Sequence, residues 1–123
     1  MTPRHYAFVT IWRIRAPLVD VWRTMLDGEH WPDWWTGVEQ VKTIRPGGED
    51  HLGGVSDQVW KSALPYRLRM RIEVVAVEKL RRIEVASDGE LRGRGIMLFS
   101  AAEGITEVRY EWTVSTTRHQ PRC

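Results

Sequence analysis

Apolar and polar residues alternate with a period of two over residues 66–77. Leu68, Met70, Ile72 and Val74 fall on one side, and Arg67, Arg69, Arg71 and Glu73 on the other. That period predicts a strand with one face in a core or cavity and the other in water. The same reading predicts a strand over 81–87 with Ile83 and Val85 inward, and another over 91–101. A last strand over 105–116 has Val108, Tyr110, Trp112 and Val114 inward, against Glu107, Arg109 and Glu111 outward. Asp88-Gly89 and Glu103-Gly104 supply tight turns. Upstream, residues 53–62 set Ser56, Gln58, Trp60 and Ser62 on one face before Leu64-Pro65 breaks the run. A short strand over 38–44 carries Val38, Val41 and Ile44, with a bulge needed to align them, and Pro46–Asp50 turns after it. Residues 5–15 place Phe8, Trp12 and Ile14 on one face and Val9 and Ile11 on the other, so both faces of this first strand are expected to be partly covered.

The period changes once. After Ala16-Pro17, Leu18, Val21, Trp22, Met25 and Leu26 recur at helical spacing, and Gly28 suits the C′ position. The segment His30-Trp31-Pro32-Asp33-Trp34-Trp35 follows, holding three of the seven tryptophans. Pro32 favours the first turn of a short helix, which puts Trp31, Trp34 and Trp35 on one face at i, i+3 and i+4. Each indole buries roughly 150–250 Å², so this segment is expected to plug into the rest of the fold and end at Gly37. The order is strand, two short helices, six strands. Sequential strands joined by tight turns make an antiparallel sheet, and the class is α+β with the helices segregated to one side.

At 123 residues the chain suits one domain over 1–117, with 118–123 as a tail. It has no apolar run of about 18 residues for a membrane span and no apolar core for a secretory signal in its first residues. Its single cysteine, Cys123, rules out an intrachain disulfide and makes the cytoplasm the default compartment. Net charge is +2, with 18 basic residues, 15 of them arginine, against 16 acidic ones. Arg67, Arg69, Arg71, Arg92 and Arg94 lie on strand faces turned away from the aromatic side chains, with Glu73 and Glu84 as cross-strand partners. A single-stranded nucleic-acid groove needs aromatics among its cations, so no nucleic-acid partner is expected. His5, His30, His51 and His119 lack metal-ligand spacing, and no metal or cofactor is expected. No nucleophile elbow, P-loop or dinucleotide fingerprint occurs; Gly93-Arg94-Gly95 lacks the third glycine.

Five segments carry a resemblance: Ala16-Pro17 with Val21-Trp22; Trp31-Pro32-Asp33-Trp34-Trp35; Leu64-Pro65-Tyr66; the run from Asp88 to Gly95; and the run from Val108 to Val114. In this order and spacing the chain resembles the START/Bet v 1-like superfamily, and more narrowly the polyketide cyclase/dehydrase and lipid-transport family. The resemblance implies a helix-grip fold: an antiparallel sheet of about seven strands, with two short helices between strands one and two, around a cavity for a hydrophobic molecule. That family pattern continues into a long C-terminal helix, for which the residues after the last strand leave no room.

Within this frame Trp34, Trp35, Trp60, Tyr66, Met70, Tyr110 and Trp112 are the candidate lining of a pocket for a small hydrophobic or aromatic ligand. The same side chains are also the material of a core. His30, Asp33, Tyr66 and Tyr110 are the candidate acid/base groups at the pocket mouth. The leading reading is a binding domain for a lipid- or polyketide-like molecule. The alternatives are a polyketide cyclase/aromatase working without metal or covalent nucleophile, and a protein-interaction module using the open sheet face. With no C-terminal helix, Leu68, Met70, Ile72, Val74, Val108, Tyr110, Trp112 and Val114 would form an apolar patch of the order of 500 Å². A homodimer is therefore expected in which the partner covers that face or the Trp31–Trp35 plug; the competing outcome is that the short helices tilt inward and fill the groove within one chain.

Overall fold

A computed structural model describes residues 4–61 and 67–116. The elements in chain order are β1 (Arg4–Ile14), α1 (Leu18–Leu26), a 3₁₀ turn (Gly28–His30), α2 (Trp31–Trp34), β2 (Val38–Arg45), a second 3₁₀ turn (Glu49–His51), β3 (Val55–Lys61), β4 (Arg67–Glu78), β5 (Arg82–Gly89), β6 (Leu91–Ala102) and β7 (Ile105–Thr116). All seven strands join one antiparallel sheet in the order β1-β7-β6-β5-β4-β3-β2. The two edge strands are consecutive in sequence, so the helices between them carry the chain from one edge of the sheet to the other. The expected seven-stranded helix-grip architecture is the one observed. Tyr66, Leu64-Pro65 and the expected tail lie outside the described residues.

Alternation decides which face each strand buries. On β4, Leu68, Met70 and Ile72 are buried between exposed Arg67, Arg69, Arg71 and Glu73. A register shift between Val74 and Ala76 then leaves Val75 exposed and returns Val77 to the inner face. On β7, Thr106, Val108, Tyr110, Trp112 and Val114 are buried. The turn into β7 places both Glu103 (φ 53°) and Gly104 (φ 78°) in the left-handed region, as a two-residue hairpin turn demands. On β2 the register shifts twice, between Val38 and Gln40 and between Thr43 and Arg45; the first aligns Val41 with the inner face, and Ile44, at the second, is largely exposed.

The helical stretch differs from expectation in two places. Gly28 does not take a left-handed cap; α1 closes on Asp27 (φ −83°, ψ 68°), whose N–H reaches the Arg23 carbonyl, and Gly28 starts the 3₁₀ turn. The three clustered tryptophans do not share one helix face. Trp35 has left the helix (φ −104°, ψ 101°) and turns onto the sheet, while Trp34 remains 41% exposed. Trp31 is buried, and its indole N–H donates to the Met25 carbonyl at 3.1 Å, satisfying one of the acceptors that the end of α1 leaves unpaired.

The expected open patch is absent. Leu68, Met70, Ile72, Val108, Tyr110, Trp112 and Val114 are all buried and Val74 is half-buried. The chain fills its own groove: Trp22 of α1 meets Phe99 edge-on at 4.9 Å, and Trp35 meets Trp60 and Tyr110 at 5.1 and 5.9 Å between ring centroids. The first strand is barer than expected instead. Phe8, Val9, Ile11 and Ile14 are exposed: Val9 and Ile11 face away from the helices, while Phe8 and Ile14 lie on the helix side of an edge strand that has a neighbour on one flank only.

Gly95 on β6 allows the two inner rings of β7 to lie flat. A Cβ there would stand 2.9 Å from Tyr110 Cε1 and 3.1 Å from Trp112 Cε2 and Val85 Cγ2. Gly95→Ala is expected to destabilise the fold by about 1–3 kcal/mol, the usual cost of overpacking. Urea unfolding of the two proteins side by side checks it; equal midpoints would show that the rings shift freely.

Candidate functional site

Two features meet under the helices. The first is a cluster of rings that grows from β1, α2, β3 and β7. Trp35 stands at its centre, 5.0 Å from Trp12, 5.2 Å from Trp31 and 5.8 Å from Trp34. Trp60 continues it to Trp112 at 5.5 Å, and Trp112 to Tyr110 at 5.0 Å. Most contacts are edge-to-face or tilted, the arrangements that the ring quadrupole favours. Five of the seven expected pocket residues, Trp34, Trp35, Trp60, Tyr110 and Trp112, are brought together here.

The second feature is a cavity of about 230 Å³ between the C-terminal end of α1, the 3₁₀ turn and the inner face of β2–β6. Its floor is Ile72, Val74, Ile83, Val85 and Met97, and Met25 and Trp31 form its roof. Val41 walls the β2 side. Two polar side chains reach the interior from β3: Ser56 and Gln58. Asp27, Glu29, Arg45 and His51 ring the mouth and are all exposed. A separate groove of about 260 Å³ lies between β1 and α1, lined by Trp12, Ile14, Val21 and Trp34.

Of the expected lining residues that are described, Trp34 borders the β1–α1 groove and none lines the 230 Å³ cavity. Met70 is buried one pair along from it, opposite Gln58. Tyr66 lies outside the described residues. Val41, Ser56 and Gln58 are the lining that tryptophan density did not single out, and Trp31, which it did, was expected in the plug and not in the lining. The alternation of β3 already held Ser56, Gln58 and Trp60 on one face, and that was the usable signal.

The acid/base candidates separate from the cavity interior. His30 is exposed, with Nδ1 2.7 Å from Asp27 Oδ2; that hydrogen bond and the Asp27 charge raise its pKa above the ordinary 6.5. Asp33 is exposed. Tyr110 is buried among the rings, and burial pushes its phenol well above 10, so it is a neutral O–H at physiological pH. On the outer face Arg67, Arg71, Arg92 and Arg94 are tied into ion pairs, whereas Arg69 forms none among the described residues. Arg71 makes two hydrogen bonds to Asp57, its direct cross-strand neighbour, at 2.7 and 3.0 Å and holds that carboxyl below its ordinary pKa. Glu84 accepts from Arg82 and Arg94 at 2.6 and 2.8 Å, and Arg67 pairs with Glu39. Among the described residues no ion pair forms to Glu73, whose expected place is taken by Asp57. No cluster of potential metal ligands occurs among the described residues.

A family model described as "Polyketide cyclase / dehydrase and lipid transport" matches residues 8–121. The chain belongs to this family. Among solved structures, the Thermus thermophilus protein TTHA0849 is 23% identical with a TM-score of 0.79, covering 92% of this chain and 76% of its own. The Zhui aromatase/cyclase of Streptomyces sp. R1128 is 14% identical with a TM-score of 0.76, covering 95% and 72%. Norcoclaurine synthase of Thalictrum flavum is 12% identical with a TM-score of 0.65, covering 95% and 79%. No curated protein matches the sequence. The family assignment and the fold agree with the resemblance read from the five segments. In this family member the helices close over the sheet through aromatic packing, and the cavity opens beside them.

The His30–Asp27 pair gives a pH signature. The folded pKa of His30 lies above the unfolded value, so the pair's contribution to stability is present below about pH 6.5 and is lost as pH rises through the folded pKa. Histidine NMR titration is expected to find His30 above 6.5 and Asp27→Asn to lower it. An unshifted His30 in both proteins would show that the contact does not persist in solution.

Proposed function

We propose that this chain binds one small, largely apolar molecule in the cavity between α1 and β2–β6. The observation that carries the reading is the cavity's own construction: an apolar floor and roof, three uncharged polar side chains (Thr43, Ser56 and Gln58) and a charged rim. Binding sites are built this way, with few polar groups setting orientation. At about 230 Å³ the space lies below the roughly 300–1,000 Å³ of drug-sized sites, which supports a compact ring system over a long acyl chain. Lipid carriage is the less supported form of the same reading.

A cyclase reading draws support from the family description and from the aromatase/cyclases among the structural neighbours. Against a buried base stands the lining itself, where Thr43, Ser56 and Gln58 are the uncharged polar side chains and the carboxylates stay at the rim. The pairing of Arg67, Arg71, Arg92 and Arg94 with carboxylates supports leaving nucleic acid out of the partners. A cytoplasmic location is proposed on the single cysteine.

The expected homodimer keeps a place here with a different contact. The concave face supplies no drive for it, whereas β1 is a long edge strand with exposed Phe8, Val9 and Ile11. Such edges pair readily with a second strand. Light scattering at micromolar concentration is expected to give twice the 14.4 kDa chain mass; a clean monomer ends this part of the reading.

Titration with the neutral fluorophore N-phenyl-1-naphthylamine is expected to show saturable binding of one molecule per chain. Val41→Trp, which fills the cavity from the edge strand β2, should weaken it more than tenfold while leaving the unfolding midpoint nearly unchanged. Unaltered binding by that variant would move the site elsewhere, to the β1–α1 groove first.

A further inference from the structure

The inner face of β3 carries a hydrogen-bond relay with a fixed direction. Ser56, Gln58 and Trp60 alternate onto the concave side opposite Ile72, Met70 and Leu68. The Trp60 indole N–H donates to Gln58 Oε1 at 2.8 Å. An indole nitrogen can only donate, so the amide oxygen must face Trp60 and the amide nitrogen must face the other way. There Gln58 Nε2 donates to Ser56 Oγ at 3.0 Å. The Ser56 oxygen is thereby used as an acceptor, and its own proton remains to be donated. Thr43, paired with Ser56 across β2–β3, spends its hydroxyl proton on Glu29. Among the described residues no side chain accepts from Ser56, which lines the cavity. Gln58 is buried, so the relay is held inside the protein.

We infer that Ser56 is the specificity-determining donor of this cavity, and that its ligand is a compact apolar ring system bearing a hydrogen-bond acceptor oxygen, a ketone or an equivalent carbonyl, directed at β3. The inference deepens the binding reading and rests on it. An apolar molecule of the same shape without the oxygen leaves a sheltered hydroxyl proton without an acceptor, and that mismatch disfavours it. The direction of the relay is set two residues away. Removing the Trp60 donor frees the Gln58 amide to turn its oxygen to Ser56, which then spends its proton inside the relay. Trp60 is thus a positioning residue for a contact that it does not touch.

Two probes of matched shape separate the possibilities: 2-acetylnaphthalene and 2-isopropenylnaphthalene, which differ by C=O against C=CH₂. Affinities are measured for the wild type, Ser56→Ala, Ser56→Thr and Trp60→Phe. Ser56→Ala is expected to weaken the ketone about three- to tenfold, the range of one neutral hydrogen bond, and to leave the alkene within a factor of two. Ser56→Thr should retain the ketone, and Trp60→Phe should lose it selectively. The inference is overturned if Ser56→Ala shifts both probes alike or neither. If the wild type binds neither probe, the cavity reading falls and takes this inference with it, an outcome distinct from binding without discrimination. Should Trp60→Phe prove too unstable to assay, the Ser56 pair decides alone.

Discussion

The inner face of the sheet must be kept from water, and the packing of Trp35 onto it is the contact on which the rest depends. Trp35 touches the first strand through Trp12, the third through Trp60 and the last through Tyr110. One ring therefore ties the β1 edge, its neighbour β7 and, near the far edge, β3 to the helical crossing. It reaches that place only because the chain leaves the helix at residue 35, an exit that also turns Trp34 outward. The cavity survives beside this contact because the rings gather toward β1, β7 and β3. Smaller aliphatic side chains line the opposite part of the floor.

The fold was legible in the sequence to the extent that side chains obey a period. The alternation of 68–74 and 108–114 named the inner face residue by residue, and the resemblance of five segments named the architecture. The period failed at bulges. The shift after Val38 was announced by the spacing of Val38 and Val41, but the shifts after Thr43 and after Val74 also change which side the following residues face, and no residue type at those points announces them. The helix face failed for a related reason: i, i+3, i+4 spacing assumes that the helix continues, and α2 is four residues long.

The site was legible only in part, because tryptophan density marks where area is buried rather than where space is left. Trp34, Trp35, Trp60, Tyr110 and Trp112 do converge, but convergence of large rings fills volume. The space opens where Val41, Val74, Val85 and Met97 stand, side chains that draw no notice in a sequence. The choice between an open face covered by a partner and a groove filled by the short helices was not decided by the sequence, because helix tilt leaves no mark in side-chain period. The short segment from 31 to 35 covers the face by ring area instead of helix length, which also removes the pressure to associate through that face.

The ring cluster has an optical consequence. Trp12, Trp31, Trp34, Trp35, Trp60 and Trp112 form a chain in which neighbouring indole centroids lie 5.0–6.0 Å apart. At such spacing excited states are shared and excitation migrates between rings within their lifetime. The intrinsic fluorescence and the near-ultraviolet dichroism of this protein are therefore collective signals. Light absorbed by any of these indoles is emitted by whichever ring lies lowest in energy, and Trp34, the one most open to water, is placed to be that emitter. A disturbance anywhere along the chain, including at Trp31 above the cavity, changes the spectrum of the whole.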